Sequence, residues 1–236
     1  MENKANISEH EKQNKFLHCP LLYRAAQQGT YGKFRQFTKS SITDTLFVYF
    51  DGTPETESTA ALDGQYKNRP LVCMTEAWEA FIIKHYPEAA IYHRYMMKPR
   101  NTFRISESKL LPDGYRLAKM DETAFNLHPF SHGENYPSYA SFKAEGSGFV
   151  VYYKNEIVSA ASSFLSLNGE VELDVSTTES HRGKGLAEAC ISAMLQDCMD
   201  RKLIVHWDAQ NEISLHLAEK YGFELEQEYL VYWLTV

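Results

Sequence analysis

Between residues 171 and 187 the chain reads Val-Glu-Leu-Asp-Val-Ser-Thr-Thr-Glu-Ser-His-Arg-Gly-Lys-Gly-Leu-Ala, and its chemistry-bearing residues fall into two groups. One is basic and glycine-rich: Arg182, Gly183, Lys184 and Gly185. Two cationic side chains beside two residues without Cβ suit an anion, because the charges attract it and the bare backbone lets it come close. The other group is acidic. Glu172 and Asp174 alternate with Val171, Leu173 and Val175, the period of a strand with two unlike faces, so the carboxylates share a face. After the glycines, Leu186, Ala189, Cys190, Ala193, Met194 and Leu195 mark one broad apolar stripe of a helix. Strand, glycine turn and helix in that order bring the helix's unpaired first amides, and the positive end of its dipole, to the turn. The arrangement predicts a phosphate or diphosphate at that point.

Three phosphate loops compete for these residues. A nucleotide P-loop needs a glycine five positions before the Gly-Lys pair and a Ser or Thr after it, where this chain has Thr178 and Gly185. A dinucleotide loop needs G-x-G-x-x-G, and Glu188 stands where the third glycine belongs. The third pattern, R-x-x-G-x-G/A after a strand, is met by Arg182, Gly185 and Ala187. It resembles the acyl-CoA diphosphate loop of the GNAT superfamily of N-acetyltransferases. A second signature follows: Asn211 opens a run that closes on Lys220-Tyr221-Gly222-Phe223, similar to the superfamily's Asn-led helix. Two signatures in this order and at this separation carry the resemblance, which is to a bacterial subgroup with an extra N-terminal half.

The resemblance implies an α/β (α+β) acyltransferase fold, a mixed and mostly antiparallel sheet flanked by helices. It also implies acetyl-CoA as cosubstrate and an amine, small or on a protein, as acceptor. The backbone of Val175 and Thr177 would bond the pantetheine amides, with the Val175 amide directed at the thioester oxygen. Arg182, Gly183, Lys184, Gly185, Leu186 and Ala187 would cradle the diphosphate, and Asn211 would bond the pantetheine arm. Glu172 and Asp174, on the strand bordering the acceptor groove, are the candidates for taking the amine proton. His128 and His132 are weaker candidates on a loop near the acceptor side, and His206 is expected to be a packed or exposed strand residue. Many family members carry a general-acid Tyr seven residues after the helix-opening Asn; here that position is Ala218, with Tyr221 one turn further. That departure keeps open a catalytically silent CoA-binding module, and a nucleotide-binding protein using the same loop is the third reading.

The rest of the chain must position these residues. It has 236 residues, 44% hydrophobic and 23% charged, enough for one large domain or two small ones. With 24 basic against 31 acidic residues the net charge is -7, which argues against broad nucleic-acid or anionic-membrane binding. Cys19, Cys73, Cys190 and Cys198 lack C-x-x-C spacing, and no His, Cys and carboxylate grouping has metal-ligand spacing, so buried thiols and no metal are expected. The first residues carry no signal-type apolar core and no stretch reaches membrane length, which makes the cytoplasm the expected compartment. Residues 1–113 are expected as an N-terminal α/β extension, with short helices over 16–37, strands near 45–50, 71–74 and 90–97, and a helix over 76–85. Their aromatics offer an acceptor pocket or a homodimer surface. Residues 114–236 are expected as the acetyltransferase domain, with strands near 115–120, 148–154, 157–167 and 171–176, helices over 121–128, 136–145 and from 186, and a final strand at 229–234.

Overall fold

The computed structural model describes residues 14–105, 110–127 and 135–234. They form two compact units, one holding residues up to Tyr95 together with those from Glu226 onward, the other holding Met96–Leu225. The boundary therefore differs from the 113/114 division read from the sequence, and the chain's end lies with its beginning.

The first unit runs through α1 (Leu21–Gln27), β1 (Lys33–Gln36), β2 (Ser40–Asp44) and β3 (Val48–Gly52). Next come α2 (Thr56–Ala61) with a π turn over Leu62–Tyr66, β4 (Pro70–Cys73), α3 (Glu76–His85) and β5 (Ala90–Met97). β1, β2 and β3 pair antiparallel, β3 and β4 pair parallel across the α2 crossover, and the chain's last strand, Leu225–Trp233, pairs antiparallel with β4. That last strand begins earlier than the expected 229 and joins this unit because Val231 is in register with Val72. The core gathers Ile42, Val48, Phe50, Leu71, Trp78 and Ile82. α3 matches its predicted bounds, and Thr75 caps it by accepting from the Trp78 amide at 3.4 Å. The end of the stretch expected as short helices is instead a strand, β1, which pairs with β2 as a hairpin. Ser40, Ser41 and Thr43 are buried on β2, a placement fixed by strand partners on both sides rather than by apolar alternation.

The second unit holds β6 (Tyr115–Lys119), α4 (Glu122–Leu127), α5 (Tyr139–Glu145), β7 (Gly148–Tyr153), β8 (Glu156–Leu167) and β9 (Glu170–Thr177). α6 (Leu186–Asp200), β10 (Ile204–His206), β11 (Asp208–Ala209) and α7 (Glu212–Lys220) complete it, so the chain's last strand is β12. Its sheet runs β10-β9-β8-β7-β6. Every pair is antiparallel except β9 with β10, which is parallel. The mixed, mostly antiparallel architecture flanked by helices is the expected fold class. Asn168 and Gly169, at φ 52° and 84°, make the tight turn between β8 and β9 that the Asn-Gly pair predicts. Helices cover both sheet faces: Cys190 of α6 lies over Ser159 at 4.0 Å, whereas the adjacent residue Ala160, pointing the other way, packs with Ala124, Phe125 and Phe142. α6 buries Leu186, Ala189, Cys190, Ile191, Met194, Leu195 and Cys198, the stripe its sequence period describes. Residues 100–104 are fixed along this unit by backbone bonds from Arg100 to Val205 and Arg104 to Tyr221.

Candidate active site

β9 leads through a single 3-10 turn, Glu179–His181, into Arg182-Gly183-Lys184-Gly185. Gly183 and Gly185 both take φ 76°, a conformation that costs a residue with Cβ roughly 1–2 kcal/mol. A Cβ at either position meets no atom within 4 Å. The glycines thus satisfy the backbone, and the space outside them is open. Residues 182–185 are all exposed. Gly185 is the N-terminal boundary of the 15-residue α6 and supplies no side-chain cap. The helical ladder starts with Ala189 donating to the Gly185 carbonyl at 3.1 Å, so the amides of Leu186, Ala187 and Glu188 have no acceptor within the helix. The helix dipole adds partial positive charge at the same end. Arg182 Nε donates to the Thr177 carbonyl and Lys184 Nζ to the Ser180 carbonyl, each at 3.2 Å. Both cations therefore stay beside the turn.

The second feature is a strand edge. β10 pairs with β9 only opposite Glu170, Val171 and Glu172, so from Leu173 to Thr177 that edge of β9 has no β10 partner. The direction of its backbone groups follows from alternation along the strand. Ile204 donates to the Gly169 carbonyl and Thr178 donates to the Val158 carbonyl. Odd-numbered residues of β9 therefore face the β10 side and even-numbered ones face β8. Val175 and Thr177 turn their amides and carbonyls to the unpaired edge, just ahead of the glycine turn. A short register irregularity at Ser163 and Leu165 of β8 raises the local twist of the sheet beside it.

The carboxylates lie on one face of β9, as the alternation predicts. Glu172 is buried at 8% exposure and Asp174 is half-buried. Glu170 shares that face and its Oε2 lies 2.6 Å from His206 Nε2. His206 stands in register with Glu172 across the parallel pair. The carboxylate partner of His206 lies 36 residues away in the chain, and only the β9–β10 pairing brings the two together.

Asn211 is the N-cap of α7, its Oδ1 accepting from the Ser214 amide at 3.0 Å, and it is exposed. Ala218 is fully buried. Tyr221, at 2% exposure, donates to the Glu188 carbonyl at 2.9 Å and lies 3.1 Å from Ser192 Oγ. Burial raises its phenol pKa. It is a core aromatic that ties α7 to α6. Of the loop before α5, Tyr136 is buried with its hydroxyl 2.7 Å from Ser166 Oγ, and Asn135 donates to the Phe164 carbonyl at the irregularity in β8; His128 and His132 lie outside the described residues. Cys190 and Cys198 are fully buried, and burial pushes both thiols up to about 12. Among the described residues no group of three or more His, Cys, Asp or Glu side chains is arranged to hold a metal, and no helix is long and apolar enough to cross a membrane.

Residues 14–232 match the family model described as GNAT acetyltransferase. A curated relative, the "Uncharacterized N-acetyltransferase YdfB" of Bacillus subtilis (strain 168), is 34% identical over 131 residues. That match spans 52% of this chain and about half, 49%, of the relative. Among solved structures, a GCN5-related N-acetyltransferase-like protein from Streptococcus suis 89/1591 superposes with TM-score 0.78 at 29% identity, covering 90% of this chain and 92% of that one. A GCN5-related N-acetyltransferase from Kribbella flavida shares the fold alone, at TM-score 0.59 and 14% identity over 91% of this chain and 96% of its own.

Proposed function

The chain belongs to the GNAT acetyltransferase family, and from that premise we propose that it transfers an acetyl group from acetyl-CoA to a primary amine. The observation that carries the coenzyme reading is the exposed turn at Arg182–Gly185, with two left-handed glycines and an uncapped helix behind it. Open space where each Cβ would stand is the feature a diphosphate needs to reach the amides. Arg182, Gly183, Lys184, Gly185, Leu186 and Ala187 hold the diphosphate; the last two do so through backbone, Leu186 being buried. Val175 and Thr177 bond the pantetheine arm along the unpaired edge of β9, and the Val175 amide steadies the thioester oxygen. Asn211 reaches the same arm with its amide nitrogen, its oxygen being engaged in the cap.

Transfer forms a bond between the amine nitrogen and the thioester carbon and breaks the carbon–sulfur bond. The amine gives up one proton and the departing thiolate takes one. Glu172 and Asp174 are the residues for the first proton, directly or through water. Their shared face also favours an acceptor that arrives as a cation; where that cation is the ammonium form of the reacting amine, it gives one further proton to solvent before attack. For the second proton, Ala218 carries no acid and the Tyr221 hydroxyl is engaged with Glu188 and Ser192, so water supplies it. The acceptor is a small amine or an amine on a protein.

Calorimetry with acetyl-CoA on folded protein tests the coenzyme, with a dissociation constant expected in the micromolar range, about that of common Michaelis constants. Absence of any heat with acetyl-CoA or CoA would overturn the reading. Thiol release across a panel of amines then tests transfer; binding without release on any acceptor leaves a CoA-binding module.

A further inference from the structure

One residue of the stretch from Thr178 to Gly185 is not exposed: His181. Its Nδ1 lies 2.8 Å from the Tyr115 hydroxyl. Its ring meets Tyr115 edge-on at a centroid distance of 5.7 Å and Tyr153 at 5.2 Å. The two tyrosines stand opposite each other in the β6–β7 register, their rings 4.8 Å apart. β6 is the far edge of the sheet, and β9 is separated from it by β8 and β7. The chain leaving β9 is still bonded to β8, the Thr178 amide donating to the Val158 carbonyl, and the His181 side chain reaches on to the tyrosines of β7 and β6. The 3-10 turn directs it, with the His181 amide donating to the Thr178 carbonyl at 2.9 Å.

We propose that His181 is a positioning residue for the diphosphate turn, clamped at the sheet edge by Tyr115 and Tyr153. The inference rests on the coenzyme reading above. Arg182–Gly185 are exposed and carry two glycines, so by themselves they sample many backbone states, each of which must be given up when a diphosphate binds. Fixing the residue immediately before Arg182 removes part of that ordering in advance, and preorganisation of this kind raises affinity without adding a contact to the ligand. One edge-on contact with Tyr115, one tilted contact with Tyr153 and one hydrogen bond suffice, since each acts on a short segment held at its other end by α6. The clamp is invisible to any local reading of the loop: Tyr115 and His181 are 66 residues apart.

The test uses the full chain with His181→Ala, Tyr115→Phe and His181→Asn. Amide hydrogen exchange of residues 178–188, measured without ligand, should speed up several-fold in His181→Ala while β7, β8 and β9 exchange as in the wild type. Affinity for CoA should fall about tenfold. S-acetylpantetheine, which lacks the diphosphate, should compete as well as before. Tyr115→Phe keeps the ring and should show a smaller change in the same direction, and His181→Asn, which retains a side-chain hydrogen-bonding group, should recover most of the CoA affinity. Unchanged loop exchange in His181→Ala overturns the proposal, as does faster exchange throughout the sheet or an equal loss of CoA and S-acetylpantetheine. A wild-type chain without CoA affinity would defeat the coenzyme reading instead, and the exchange comparison would still decide whether the clamp exists.

Discussion

Replacing Gly185 by alanine isolates the step on which the coenzyme reading depends. The residue takes φ 76° and ψ 9°, and its Cβ would meet nothing within 4 Å. The stability cost is then the left-handed backbone alone, about 1–2 kcal/mol. For a protein of this size that lowers the melting temperature by about 2–8 °C, well short of unfolding a chain with typical stability of about 5–15 kcal/mol. The same methyl group stands in the open space where a phosphate must approach the first amides of α6. Losing one hydrogen bond to a charged phosphate costs about 1.5–3 kcal/mol, a roughly 10- to 150-fold weaker dissociation constant for CoA. Gly169→Ala is the matched control. Gly169 has φ 84°, also faces open space, and sits at the opposite end of β9, about 26 Å away along an eight-residue strand. It should cost the same stability and leave CoA affinity alone. Calorimetry and a thermal melt on both variants suffice. A Gly185→Ala protein that melts lower but binds CoA as tightly as the wild type would refute the placement of the diphosphate.

Other outcomes follow from the same geometry. Glu172→Gln and Asp174→Asn should separate base from bystander, since loss of kcat by about 100-fold or more with unchanged CoA affinity marks the proton acceptor. Tyr221→Phe removes a hydroxyl bonded to Glu188 and Ser192 and should lower stability by about 1 kcal/mol with transfer retained; abolished transfer in a folded variant would instead make the phenol the general acid. Asn211→Ala deletes the α7 cap and should cost about 1 kcal/mol, read as a drop in melting temperature. Cys190 and Cys198 ionise at about 12 when folded but near 8.5 when unfolded. The folded state therefore holds more protons above that pH, and the stability these thiols provide is full below about pH 8.5 and is lost as pH rises toward 12. The guanidinium midpoint should fall between pH 8 and pH 10, and Cys190→Ser with Cys198→Ser should flatten that fall.

Local sequence determines a good part of this protein. The alternation of Val171, Leu173 and Val175 with Glu172 and Asp174, the Asn168-Gly169 turn, the apolar stripe from Leu186, and the Thr75 and Asn211 caps all act within a few residues, so their periods and turn chemistry suffice. The glycine turn belongs with them, because its φ values need glycine whatever surrounds it. Tertiary structure decides what depends on partners far along the chain. It buries the serines of β2 between two strands and carries β12 back to β4. By ending the β9–β10 pairing at Glu172 it leaves the Val175 and Thr177 backbone on an unpaired edge. It joins Glu170 to His206 and His181 to Tyr115. Hydrogen bonding along a helix is satisfied within a few residues and leaves its mark in the sequence, whereas a strand edge is open or closed according to whichever segment folds against it.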